Sequence, residues 1–214
     1  MDSFLNKDGK PVLLRMVKGI QDKKDYLAEV DGLIGDGDHG MNMNKGFTVF
    51  EIRYAEEAYS FTEGLEKLGM ILLNEIGGSM GPIYGTLFLE MADAGAACEK
   101  ISVKDLAHML EAGLEGLYGV VDARVGDKTL VDTLAPAVET LNKAAENSCD
   151  FRTALTDMTQ AAEEGWKRTK DLVAKYGRSS RLGERSRGVL DAGATSCYVI
   201  LSSMAEGILQ LDGK

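Results

Sequence analysis

The chain has 214 residues, 44% hydrophobic and 27% charged, with a formal net charge of -10. That length suffices for a buried core in one domain spanning 1–214, while the acidic balance repels nucleic acid and anionic membrane and makes any phosphorylated ligand dependent on metal ions. Three widely spaced cysteines (Cys98, Cys149, Cys197) exclude a disulfide framework and fit a reducing cytoplasm, and the N-terminal MDSFLNKDGK has no signal-peptide core.

Apolar residues recur at helical spacing almost throughout, and no long stretch alternates with period two, so the expected fold is all-α without a sheet. Helices are predicted over roughly 10–29 and 40–58, then over 62–76, where Phe61, Leu65, Leu68, Leu72 and Leu73 form a stripe. A fourth spans roughly 82–99; its apolar run GPIYGTLFLEMADAGAAC is broken by Glu90 and Asp93 and is no membrane span. Leu106, Met109, Leu110, Gly113, Leu117 and Val121 place the fifth at about 103–120, and a sixth follows over 128–147. The clearest periodicity, Phe151, Leu155, Met158, Ala162, Trp166, Thr169, Leu172 and Val173, predicts a helix over roughly 151–176 with Trp166 in the core. The last, over roughly 192–210, is apolar on most sides and should lie deep. Short connections favour antiparallel neighbours, hence an eight-helix bundle or closed barrel.

Four of the connections share a habit. GDGDHG (35–40), GGSMGP (77–82), GDKT (126–129) and DAGATS (191–196) are glycine-rich and stand just ahead of helices. A helix N-terminus offers unpaired N–H groups and partial positive charge, and glycine lets a phosphate approach the backbone. Each alone reads equally well as a turn with an N-cap. Four at one end of a bundle would form an anion-binding rim.

The sharper signal is carboxylate. Asp31, Asp36 and Asp38 fall at the end of one helix and in the loop after it. Hard divalent cations take oxygen ligands, and three converging aspartates repel one another without a cation, so Mg²⁺ is the expected occupant. A solvated turn is the plain alternative, and an EF-hand loop lacks its glutamate at position 12. His39, next to Asp38 in the loop, is read as a phosphate donor or an acid–base group rather than a core histidine. His108, among Leu106 and Met109, is read as structural. Asn42 and Asn44 reach toward a phosphate or face solvent. Lys128 and Arg178 are the cations nearest the glycine loops, and Arg178 lies in KYGRSSRLGERSRG (175–188), a lid over a ligand or an exposed loop. Neither a Walker A sequence nor a GxGxxG after a strand occurs, so a nucleotide site here is of neither the P-loop nor the Rossmann kind.

In their order, IGDGDHGMNMNKGF, GGSMGPIYG, GDKTLVDTLAP, GRSSRLGERSRG and DAGATS resemble the nucleotide-binding L subunit of the dihydroxyacetone kinase family, over a stretch from about Leu27 to the C-terminal helix. The resemblance implies an eight-helix antiparallel barrel with ADP or ATP at one end. It implies two Mg²⁺ held by Asp31, Asp36 and Asp38, a phosphate-side loop of His39, Gly40, Met41 and Asn42, and a second contact at Ser79 and Met80. Leu130, Arg178, Asp191, Ala192 and Gly193 match the surroundings of base and ribose. Two positions depart from the pattern. The family often has serine where Met80 stands, which removes a hydroxyl and leaves the backbone contacts. The stretch YGVVDARVGDK (118–128) also differs in detail, which leaves Val121 open as a contact.

By the same resemblance, phosphate passes to dihydroxyacetone held on a separate K subunit, and the chain is inactive alone. In one version of the family ADP stays bound and is rephosphorylated by a phosphohistidine-carrying M subunit of the phosphotransferase system. In the other, ATP is a substrate and the acceptor is a triose or tetrose. A nucleotide-sensing regulator without catalysis and a metal-binding bundle without nucleotide stand as rivals, and nothing in the sequence decides between monomer and homodimer.

Overall fold

The computed structural model describes residues 1–211. Eight α-helices carry the fold: α1 (Lys10–Ile34), α2 (His39–Tyr54), α3 (Phe61–Glu75), α4 (Met80–Gly95), α5 (Val103–Val120), α6 (Val131–Glu146), α7 (Phe151–Arg168) and α8 (Ala192–Leu211). The all-α expectation holds, with one small addition. Strands β1 (Ser3–Leu5) and β2 (Lys100–Ser102) pair antiparallel, Phe4 opposite Ile101. Three residues are too few to display a period of two, which is why the pattern concealed them.

Each helix packs on its neighbours in sequence, and α8 returns to pack on α1, so the ring closes. Closure relies on close approach: a Cβ on Gly19 of α1 would lie 2.0 Å from the Ser203 hydroxyl of α8. The stripes read from the sequence fill the middle, with Leu65, Leu68, Leu106 and Leu155 buried, and Leu13, Met16, Ile20, Phe47, Leu134 and Ile208 join them. Helix α8 is long and apolar enough by composition to cross a membrane, but 72% of its most apolar window is buried inside the barrel.

Helix ends differ from the periodicity by several residues. Helix α1 continues to Ile34 and carries Asp31 on its last turn, while α7 stops at Arg168. The apolar stripe does continue through Thr169, which is fully buried, but there the chain tightens into a 3-10 turn (Thr169–Asp171) and leaves the helix axis. Trp166 is not core: it is half-buried, stacked on Tyr198 with ring centroids 4.7 Å apart, and donates its Nε1–H to the Thr195 hydroxyl at 2.9 Å.

Because consecutive helices run antiparallel, alternate connections fall at the same end. The α2–α3, α4–α5 and α6–α7 connections share one end with β1 and β2. There Phe4 meets Phe61 edge-on at 5.5 Å and Phe151 at 6.0 Å, closing the barrel. The α1–α2, α3–α4, α5–α6 and α7–α8 connections share the other.

Candidate functional site

Those last four connections enclose one cavity of about 660 Å³. The α1–α2 loop supplies Asp31, Asp36, Asp38, His39 and Asn42, and the α3–α4 loop supplies Gly77, Gly78, Ser79 and Met80. The α5–α6 loop supplies Val121, Lys128, Thr129 and Leu130. From the α7–α8 connection come Tyr176, Arg178, Asp191, Ala192 and Gly193. Residues from four distant parts of the sequence therefore face one volume.

The aspartates converge: one carboxylate oxygen from each of Asp31, Asp36 and Asp38 lies within 4.8 Å of the others. Asp31 also accepts the backbone N–H of His39 at 3.3 Å, and the Arg178 guanidinium is ion-paired with Asp36. Gathered oxygen donors beside an open cavity suit a hard cation such as Mg²⁺. Gly37, at φ 77, makes the reversal that returns Asp38 toward Asp31.

Two of the four helices that start at the cavity, α2 and α4, lack a side-chain cap. The residues preceding α2 and α4 (Asp38, Ser79) make no side-chain capping bond, whereas at α6 the Thr129 hydroxyl accepts the Val131 N–H at 3.2 Å and the Thr129 carbonyl the Asp132 N–H at 3.1 Å. Helix α8 differs, since Asp191 accepts the N–H of Ala194 at 2.7 Å. Burial pushes the Asp191 carboxyl up to about 6, against the opposing pull of that N–H and of Lys128.

His39 corrects the loop reading. It is 7% exposed, as the first residue of α2. Its Nε2 lies 2.8 Å from the Ser196 hydroxyl, which lies 2.6 Å from the Tyr84 hydroxyl, and Tyr84 also reaches the Gly193 carbonyl at 3.1 Å. Burial lowers His39 to about 4 despite the nearby Asp31, so the ring is neutral at pH 7. Ser196 and Tyr84 were not singled out from the sequence, although both lie inside the DAGATS and GGSMGPIYG motifs.

The remaining assignments divide. Val121 lines the cavity, and Met80 takes its place in the wall. Gly40 and Met41 are not among the lining residues. A Cβ on Gly40 would lie 2.0 Å from the Lys24 carbonyl, so this glycine lets α2 approach α1, and Met41 is 67% exposed. Asn44 does not face the cavity either. His108, read as structural, is exposed on α5 and holds no core position. Lys128 is buried, with its amine bonded to backbone carbonyls.

Comparison with known proteins points to one family. Residues 33–206 match the model of the DAK2 domain. The chain is 38% identical over 188 residues to the ADP-binding subunit DhaL of PEP-dependent dihydroxyacetone kinase 1 from Listeria innocua, covering 87% of this chain and 89% of that protein. It is 36% identical to the corresponding Escherichia coli subunit, covering 86% and 88%. The dihydroxyacetone kinase of C. freundii in complex with AMP-PNP and Mg²⁺ shares the fold, with a TM-score of 0.67 and 21% identity; the match covers 91% of this chain but only 33% of that one. The two sequence relatives match along most of their length and the domain model covers all four cavity loops, so the chain belongs to the DAK2-domain family, together with the DhaL subunits of dihydroxyacetone kinases.

Proposed function

We propose that the chain is a nucleotide-binding subunit of a phosphoenolpyruvate-dependent dihydroxyacetone kinase, working in the cytoplasm as a single domain over 1–214. The observation that carries this reading is the convergence of Asp31, Asp36 and Asp38 beside a cavity faced by the uncapped starts of α2 and α4. Identities of 38% and 36% to ADP-binding subunits support it, against 30% to a D-erythrulose kinase of Mycolicibacterium smegmatis, of which the chain matches 33%.

In this reading the three aspartates bind two Mg²⁺, and the ions, when bound, neutralise charge on the phosphoryl oxygens of the nucleotide. The other roles belong to the chain itself. Free N–H groups at the starts of α2 and α4, with Asn42 and Ser79, orient phosphate oxygens. Arg178 reaches from the α7–α8 connection to the aspartates and offers a planar, permanently charged fork. Neutral His39, held by Ser196, presents a hydrogen-bonding ring without adding charge. Leu130, Ala192 and Gly193 form a wall for base and ribose, and Ile34, Ile83 and Val121 keep water from it.

Dihydroxyacetone is held by a separate K subunit docked over the cavity mouth. ADP remains with this chain and is rephosphorylated by a phosphohistidine-carrying M subunit. The test is direct: the purified protein is desalted in Mg²⁺ buffer and denatured, and the released nucleotide is chromatographed. About one ADP per chain supports the retained cofactor. An empty protein that binds ATP reversibly moves it to the ATP-dependent kinases. Binding of neither nucleotide overturns the assignment.

A further inference from the structure

The GDKT turn ahead of α6 sets Lys128 in the cavity wall, with its amine engaged by backbone carbonyls. Lys128 is 1% exposed, and its backbone sits at φ 61, a conformation unfavourable for any residue with a Cβ. Its Nζ donates to the carbonyls of Thr169 and Val189, at 2.5 Å each. Burial lowers the amine's pKa, with Asp191 and Asp132 acting in the opposite direction.

Thr169 and Val189 are the two feet of one excursion. Between them the chain leaves the barrel, forms the 3-10 turns of Arg178–Ser186 and returns. The neck is tied to itself: Gly188 donates its N–H to the Lys170 carbonyl at 2.7 Å, and Asp191 donates to the Thr169 hydroxyl at 3.1 Å. Such ties close the excursion without fastening it to the rest of the molecule. The turn 126–129 fastens its neck, through Lys128 and through Asp127, which accepts the Lys175 N–H at 3.2 Å and pairs with its amine at 2.6 Å, while the Arg178–Asp36 ion pair ties the segment to the α1–α2 loop. The excursion brings Tyr176 and Arg178 to the cavity.

We propose that Lys128 is a positioning residue: through the carbonyls of Thr169 and Val189 it fastens both feet of the 170–188 segment to the barrel, and so sets how long a nucleotide stays in the cavity. The second half rests on the nucleotide reading above; the first does not. The physical reason is satisfaction of buried polar groups. Without the amine, the Val189 carbonyl loses its donor and the Thr169 carbonyl keeps only the Leu172 N–H at 3.2 Å; the lost bonds are recovered from water, which enters when the segment lifts.

Lys128→Met keeps the length of the side chain and removes the donors. Hydrogen–deuterium exchange on the nucleotide-free protein should be faster in peptides from 170–188 and unchanged in α3 and α4. Release of a fluorescent ADP analogue in Mg²⁺ buffer should accelerate roughly tenfold, the effect of losing one charge-assisted hydrogen bond. Lys128→Arg, which retains donors, should return both readouts toward wild type. Should the methionine variant fail to fold by circular dichroism, Lys128→Gln with its shorter amide asks the same question and should give intermediate exchange. Unchanged exchange in 170–188 overturns the fastening. Faster exchange with unchanged nucleotide release overturns the control of residence. A wild type that binds no nucleotide removes the functional reading, while the exchange comparison still judges the clamp.

Discussion

The two ends of the barrel are built from the same helices and treat them in opposite ways. At the end closed by Phe4, Phe61 and Phe151, the starts of α3, α5 and α7 satisfy themselves. Ser60 with Glu63 and Ser102 with Asp105 form reciprocal capping boxes, and Asp150 accepts the N–H of Thr153. Asn6 completes the seal by donating to Thr62 and to the Cys98 carbonyl while accepting the Thr62 N–H. At the cavity end, Asp38 and Ser79 stand at the same position in α2 and α4 and cap nothing, while Thr129 and Asp191 serve the starts of α6 and α8. Self-satisfied donors stabilise the fold; donors left free are available to a ligand. One end therefore carries stability and the other carries binding.

Substitutions that separate stability from binding test this division. The largest effect is expected from Phe61→Ala, which empties a fully buried ring site in the closed end. It should cost about 3–5 kcal/mol in urea unfolding while leaving nucleotide affinity of the folded fraction unchanged. A comparable loss of affinity would mean that the ends are coupled and the division is wrong.

His39 gives the next largest effect, at the cavity end. Its folded pKa of about 4 lies below the unfolded value of 6.5, so the unfolded chain binds the proton more tightly. The contribution is fully present above pH 6.5 and is lost as pH falls toward 4, about 3 kcal/mol in all. Stability of His39→Gln, measured without nucleotide or metal, should fall less steeply across that window; parallel curves would show that His39 is not the titrating group.

Asp36→Ala should weaken ADP binding in Mg²⁺ on the order of a hundredfold by calorimetry. Its melting temperature without metal should change little, since the carboxylate removed is repelled by Asp31 and Asp38 but paired with the exposed Arg178 guanidinium. A collapsed fold would place Asp36 on the structural side instead.

The smallest pair sharpens the contrast most. Ser102→Ala removes a working cap and should cost about 1 kcal/mol. Ser79→Ala, at the equivalent position of α4, removes no cap and should stay within about 0.5 kcal/mol. Equal losses would erase the distinction between the two sets of helix starts.

The sequence by itself determined the helices, because a period of 3.6 is a local property. Phe61 to Leu72 and Leu106 to Leu117 are legible without knowing what covers them. It also picked out the loops that meet at the cavity, since glycine-rich stretches ahead of helices and three aspartates among glycines are local features of the chain. Where a partner in space does the deciding, only the tertiary structure answered. His39 looked like a loop residue until Ser196, 157 residues away, supplied its hydrogen bond. Gly40 matched a phosphate loop, but the Lys24 carbonyl of α1 explains the glycine. The stripe through Thr169 promised more helix, and the chain leaves the axis where Thr169 and Val189 meet the Lys128 amine. Periodicity and composition are properties of neighbours along the chain. Burial, closure of the ring of helices and the meeting of four loops at one end depend on residues brought together only when α8 packs on α1.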